Sequence, residues 1–425
     1  MNAAPQRAAA VAALAALGAC AARPAALPRE LVFESLATWL REGRIEIAVE
    51  ELARVRDLGD RDFELAQWRS VLAEMQWQDA VAIAEQHLAV RRGRAAQADP
   101  ALQAKARYRL GELLFTAGRW SEAAMWLADA GRDAGDGAAA FAAIARELPF
   151  ARKQTGPLLT EQPLLPGGVL EFVCTAADKQ RPFAIDTGTS MTTMSSSLAD
   201  ELGVRSRLSA GNGVDSAGRD LPIEIGVLPR FLVGDVVLGD VPVLVVSDAA
   251  MALRDIYGGP ERVPSGVLGL DAITAFRLTI DPDRVSVVLE LPKGLPAIDS
   301  VQCVRAGGRC LVPVMVDGVR LWFVLDTGAS HSSLTAEGAA ALPEGWRSVP
   351  SFRRVRTVGG GLVSVREVRD LVLRVSDARF HGVTLPVVAR EEHAAFPVHG
   401  VLGMDLLARC RVTLDRGRVR VLAFR

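Results

Sequence analysis

Phe183-Ala-Ile-Asp-Thr-Gly-Thr-Ser190 and Phe323-Val-Leu-Asp-Thr-Gly-Ala-Ser330 are one phrase written twice, 140 residues apart. A second block repeats at an offset of 134, where Gly266-Val-Leu-Gly-Leu-Asp271 matches Gly400-Val-Leu-Gly-Met-Asp405. The match continues ungapped through Arg277-Leu-Thr-Ile-Asp281 against Arg411-Val-Thr-Leu-Asp415, and Arg284-Val-Ser-Val287 against Arg418-Val-Arg-Val421. The difference in offset falls between the blocks, in connections where length changes are tolerated. The C-terminal part of the chain is therefore two copies of one lobe. In each copy an apolar run leads straight into Asp-Thr-Gly, so the Asp emerges where a strand turns. A Gly-containing polar hairpin follows (Gly211 to Asp220, and Thr357 to Leu362), then the apolar-apolar-Gly element and a closing hairpin across Asp281-Pro-Asp or Asp415-Arg-Gly.

Working outward, the Pro/Gly-rich stretch Gly156 to Gly168 marks the upstream boundary of this β-rich text. Residues 29–152 before it are Ala-, Leu-, Glu- and Arg-rich with helical spacing. Tyr108-Arg-Leu-Gly111-Glu-Leu-Leu-Phe115 and Gly118-Arg-Trp120-Ser-Glu122-Ala123 alternate small and large residues as a tetratricopeptide unit does. A generic helical bundle is the other reading. The first residues resemble an export signal: Arg7 precedes the apolar run Ala8 to Ala19, too short to span a bilayer. Leu17-Gly18-Ala19-Cys20 resembles a lipoprotein box with Cys20 as the lipidated residue; a plain cleavable signal that contains a cysteine is the alternative. The expected order is a signal over 1–19, a tether over 20–28, a helical repeat domain over 29–152 and a linker over 153–165. Lobe 1 then takes 166–296 and lobe 2 takes 297–425. The fold class is multidomain: an all-α repeat followed by an all-β bilobal unit.

Composition narrows the function. Half the 425 residues are hydrophobic and 23% are charged, which excludes general disorder. A formal net charge of −1 provides no field for nucleic acid. Only 4 of the 49 basic residues are Lys, a bias attributed to genome composition rather than binding. Cys174, Cys303, Cys310 and Cys410 remain besides Cys20, and in an exported protein Cys303 with Cys310 could close a short hairpin loop.

The repeated Asp carries chemistry. Two carboxyl groups about 3 Å apart cannot both ionise, so one pKa rises and the pair shares a proton. Such a pair can hold one water, take its proton with the ionised member and polarise an amide oxygen with the neutral one. A duplicated lobe with one Asp per copy, Asp186 and Asp326, supplies the pair across a pseudo-twofold axis. Gly188 and Gly328 allow tight turns beside the carboxylates, and the Thr187 and Thr327 hydroxyls can lock the two loops together.

On these motifs the chain resembles the retropepsin and pepsin aspartic peptidases, over roughly residues 166–425. The resemblance implies Asp186 and Asp326 as the catalytic dyad. Around them, Thr187, Gly188, Thr189, Ser190, Thr327, Gly328, Ala329 and Ser330 form the supporting loops. The short lobes look like two retropepsin subunits fused in one chain, with the dyad complete in that chain. One departure is that neither candidate flap carries the tyrosine of pepsins; the two tyrosines are Tyr108 and Tyr257. In this fold the hydroxyl of Thr189, where the second copy has Ala329, is expected to hydrogen-bond Asp186 and favour its charged form.

Other clusters point elsewhere or nowhere. Gly359-Gly-Gly361 lacks the strand-loop-helix context of a phosphate cradle and reads as a flap tip. His381, His393 and His399 show no metal-ligand spacing, His331 reads as a turn residue, and His87 as a helix residue. No metal or cofactor is expected. The reading is an exported, lipid-anchored aspartic endopeptidase acting on peptide or protein at the cell envelope. Its helical part would present substrate or bind a protein partner, and its oligomeric state stays open. The competing readings are a silent peptide-binding lipoprotein and a helical-repeat scaffold.

Overall fold

The computed structural model describes residues 27–424 except 61, 130–135, 150–154, 158, 166–169, 215–219, 252–265, 344–345, 347, 357–361 and 389–395. The expected signal, Cys20, Tyr257, His393 and the triple glycine 359–361 lie outside the described residues.

Seven helices come first among those described: α1 (Arg29–Arg41), α2 (Ile45–Arg54), α3 (Phe63–Met75), α4 (Asp79–Ala95), α5 (Pro100–Thr116), α6 (Trp120–Asp129) and α7 (Asp136–Glu147). Local chemistry sets their starts. Asp62 caps α3 by accepting from the Leu65 amide and is tied back to α1 by Arg29. Asp99 caps α5, with Pro100 in its first turn. Gly111 lets α5 and α6 approach, because a Cβ there would stand 2.7 Å from Leu127 Cγ. Within the described residues no helix is long and apolar enough to cross a membrane.

Each β copy then builds a curled sheet. In lobe 1 the order is Glu171–Ala176, Lys179–Ile185, Gly266–Leu268, Thr193–Ser195, Val236–Val246, Asp220–Val233, Arg205–Val214. Lobe 2 repeats it with Arg309–Val316, Val319–Leu325, Gly400–Leu402, Ser333–Thr335, Ala378–Val388, Leu362–Val375 and Val349–Arg356, and adds Val304–Ala306 at the front. A further pairing in each lobe, Cys174 with Val233 and Val316 with Leu373, curls the sheet toward closure. A six-stranded sheet joins the lobes, its centre formed by Arg277–Asp281 antiparallel to Cys410–Asp415. Thr279 and Thr413, equivalent in the repeat, face each other there with hydroxyls 3.1 Å apart, which places the pseudo-twofold axis between them.

The helices share their cores with the lobes. Leu36, Trp39, Leu52 and Leu65 of α1–α3 bury against Leu311, Trp322, Val324 and Phe396 of lobe 2. The indole of Trp322 also donates to the Gly43 carbonyl at 3.2 Å. Residues of α3–α7 bury against Ile225 and Val227 of lobe 1. Cys174, Cys303, Cys310 and Cys410 are buried free thiols. Cys303 and Cys310 are not joined as a disulfide, and burial pushes Cys303 well above the ordinary thiol range.

Candidate active site

Each Asp-Thr-Gly loop follows a strand held on its far side by the apolar-apolar-Gly element. Ile185 pairs in parallel with Leu268, and the Asp186 amide donates to the Leu268 carbonyl at 3.1 Å. Leu325, Leu402 and Asp326 repeat this at the same 3.1 Å. The brace thus follows the strand up to the amide of the Asp itself.

The two loops meet across the axis. Thr187 Oγ1 donates to the Leu325 carbonyl and Thr327 Oγ1 to the Ile185 carbonyl, both at 2.7 Å. Each hydroxyl also accepts from the other threonine's amide at 3.1 Å. Both threonines are buried, so the four hydrogen bonds form in low dielectric and fix the loops against each other. Asp186 and Asp326 are thereby brought side by side. Their approach leaves no room for a side chain at the glycines. A Cβ on Gly188 would lie 2.5 Å from Asp326 Cγ, and one on Gly328 would lie 2.6 Å from Asp186 Cγ.

The electrostatics follow from this geometry. Burial, and then the negative charge of Asp326, push Asp186 up to about 8, against the pull of the Gly188 and Thr189 amides. Asp326 accepts from the Gly328 amide at 2.9 Å and the Ala329 amide at 2.8 Å. Two carboxyl groups this close resist ionising together, so they titrate as a unit rather than separately. The expected hydroxyl bond from Thr189 to Asp186 is not made among the described residues; backbone amides occupy that role in both lobes. Ser190 presents an exposed side chain, and its carbonyl accepts from the Asp271 amide at 3.0 Å. Ser330 Oγ lies 3.0 Å from His331 Nδ1. His399 Nδ1 accepts from the Trp322 amide at 3.0 Å, and burial lowers its pKa. No group of three His, Cys, Asp or Glu side chains is placed to hold a metal ion among the described residues.

A second pair of acids escaped the assignment of roles from sequence. Asp271 accepts from the Thr192 amide and hydroxyl at 2.8 and 2.9 Å, and Asp405 from the Ser332 amide and hydroxyl at 2.8 and 2.6 Å. The hydroxyls of Thr192 and Ser332 in turn accept from the Gly269 and Gly403 amides. These carboxylates tie the end of each Asp loop to its brace. Their retention at matching positions of both copies was the available signal.

The hairpins expected over the cleft are present as Arg205–Val214 with Asp220–Val233, and Val349–Arg356 with Leu362–Val375; their tips lie outside the described residues. Comparison with known proteins adds a likeness to one family. Residues 173–272 and 312–406 each match the family described as aspartyl protease. Each match spans one Asp-Thr-Gly loop and its brace, so the bilobal, retropepsin-like fold and its likeness to that family hold for both lobes. Among solved structures the chain is similar to a retropepsin-like aspartic protease from Rickettsia conorii, 15% identical, with 34% of this chain and 97% of that one covered at a TM-score of 0.24. It is also similar to EIAV protease complexed with the inhibitor HBY-793, 25% identical, covering 23% and 85% at a TM-score of 0.19. Comparison with curated proteins gave no match.

Proposed function

We propose that the chain is an aspartic endopeptidase in which the Asp186–Asp326 pair activates a water against a peptide bond. One observation carries the reading: two carboxyl groups set side by side at the meeting of two cross-locked loops, one from each lobe. The ionised member takes a proton from the water as it attacks the carbonyl carbon. The protonated member hydrogen-bonds the carbonyl oxygen as charge develops there and later gives its proton to the leaving amine. A pure binding cleft has no use for two acids that repel each other, which disfavours the silent alternative. The test is hydrolysis of a peptide mixture by purified protein across pH 3–9, with each Asp→Asn variant as control. Cleavage by the wild type alone supports the reading; a well-folded wild type that cleaves nothing at any pH defeats it.

The site of action is part of the same proposal. Leu17 to Cys20 supports a lipid-anchored protein at the envelope, where two acyl chains suffice for stable attachment. Mass spectrometry of the native N-terminus decides it: an acylated Cys20 supports the anchor, and an unmodified mature terminus elsewhere sinks it.

A further inference from the structure

A cavity of about 210 Å³ lies where the helices, lobe 1 and lobe 2 meet. At about 30 Å³ per water it has room for roughly seven. Its walls include Tyr108, Glu112 and Phe141 from the helices, Ser190 from the first Asp loop, and Arg305 with Gly308 from lobe 2. Gly308 stands against the loop itself, since a Cβ there would lie 2.8 Å from Ser190 Cβ. The cavity thus borders the first Asp loop, four residues along the chain from Asp186.

The charges on its walls are unequal in their partners. Glu74 is paired with Arg109 at 2.5 Å. Arg305 is paired with Asp79 at 2.6 Å and lies over the Trp77 ring at 4.1 Å. Asp271 is occupied by Thr192. Glu112 has no ion pair among the described residues, and the nearby hydroxyl of Tyr108 pulls its pKa down. Part of its side chain is exposed to solvent and part lines the cavity. Burial pushes its carboxyl up against the pull of Tyr108 and Arg109, and Glu74 adds to the rise. A cation arriving there would relieve that strain on the charged form. The aromatic rings of Tyr108 and Phe141 suit the rest of such a ligand, because they attract ammonium and guanidinium groups and cover an aliphatic stem.

We propose that this cavity is a specificity site for a lysine or arginine side chain of the polypeptide substrate, with Glu112 as the anion that selects it. The substrate part rests on the peptidase reading above. Reach agrees with it. Ser190 is four residues from Asp186, so at about 3.3–3.6 Å per residue an extended peptide on the dyad arrives there within about four or five residues of the scissile bond.

Two measurements test the proposal and keep it separate from the reading it rests on. The first needs no catalysis: saturation-transfer NMR on the full chain at neutral pH, with acetyl-Ala-Ala-Lys-Ala-Ala-amide and its norleucine counterpart as probes. The lysine peptide is expected to bind at least about tenfold better, a ratio of affinities worth about 1.4 kcal/mol. Glu112→Gln, which keeps the shape of the side chain, should bring the ratio to about one. Equal binding of both peptides to the wild type, or a ratio that survives in Glu112→Gln, overturns the site. The second is a cleavage profile on a proteome-derived peptide mixture. Basic residues should be enriched at one fixed distance on one side of the cut, and the enrichment should vanish in Glu112→Gln. Cleavage without a basic preference removes the specificity site and leaves the peptidase. Lysine-selective binding without cleavage does the reverse.

Discussion

The two lobes share a fold and a cleft, yet the helices cover a different face of each. On lobe 2 they bury Leu311, Trp322 and Val324, on the strands that lead into Asp326. The matching positions of lobe 1, at the offset of 140, are Glu171, Pro182 and Ala184, and these do not belong to a helical core. On lobe 1 the helices instead take the hairpin over the cleft. Ile225 and Val227 join the core of α3–α7, and Gly137 of α7 comes so close that a Cβ there would meet the Ala210 carbonyl oxygen at 3.0 Å. Ile225 lies opposite Leu244; its counterpart in lobe 2, opposite Pro386, is Glu367, ion-paired with Arg369. One duplicated lobe thus acquired two docking faces by exchanging charged and apolar residues at matching positions, while the loops at the axis stayed alike. The candidate flap of lobe 1 is buttressed by helix.

If the loops are functionally equal, removing either acid should do the same damage. Asp186→Asn and Asp326→Asn are each expected to lower kcat/KM on a cleaved peptide by at least about 10³-fold, in the range of lost acid–base catalysis. Circular dichroism should stay unchanged. A variant of one lobe that keeps substantial activity would break the equivalence.

The docking faces should differ just as clearly. Trp322 is buried, stacks edge-on to Phe396 with ring centroids 5.1 Å apart, and bonds Gly43. Trp322→Ala should therefore cost about 3–5 kcal/mol in urea unfolding. The matching change in lobe 1, Pro182→Ala, should cost less than about 1 kcal/mol. Equal costs would mean that the helices hold lobe 2 no more tightly than solvent does.

A smaller effect separates the dyad from the rest of the molecule through pH. Asp186 is raised from 3.8 to about 8, so the native state binds this proton more tightly than the unfolded chain. The stability that this group contributes is complete below about pH 4 and is lost as pH rises to about 8. Asp186→Asn removes the loss. The variant should gain stability relative to the wild type as pH is raised from 4 to 8, read as the difference in urea midpoints, and Asp326→Asn should behave alike because the two groups titrate as a unit. Parallel pH curves for wild type and variants would deny that coupling.

The smallest effect is expected where the loops differ in sequence. Thr189 makes no hydroxyl bond to Asp186 among the described residues, so Thr189→Ala and Ala329→Thr should leave the limbs of the kcat/KM–pH profile in place. A displaced limb would show that the hydroxyl reaches the carboxylate during turnover.

What could be read from sequence follows the distance over which each feature is encoded. The repeat, the strand entering Asp-Thr-Gly and the Gly-bearing hairpins are local, and periodicity or self-alignment exposes them. The pairing of Asp186 with Asp326 was also within reach, because duplication implies an axis. The joining of helices to lobes was not. Trp322 and Gly43 stand 279 positions apart, and nothing in the helical text marks which apolar stripe faces another helix and which faces a sheet. The cavity beside Ser190 escaped for the same reason: nothing in the helical text sets Glu112 beside the first Asp loop or lobe 2.

The central pairing of Arg277–Asp281 with Cys410–Asp415 has a kinetic consequence. Two separate lobes would have to find each other by collision, and dilution would part them. Here segment 291–300 bridges strands of the same sheet, and a short tether holds its ends at roughly millimolar effective concentration. Bringing the two Asp loops together is thus a first-order event within one molecule. Freedom from self-complementarity comes with it: identical subunits must change in step, whereas fused copies can place Ile225 in one and Glu367 in the other.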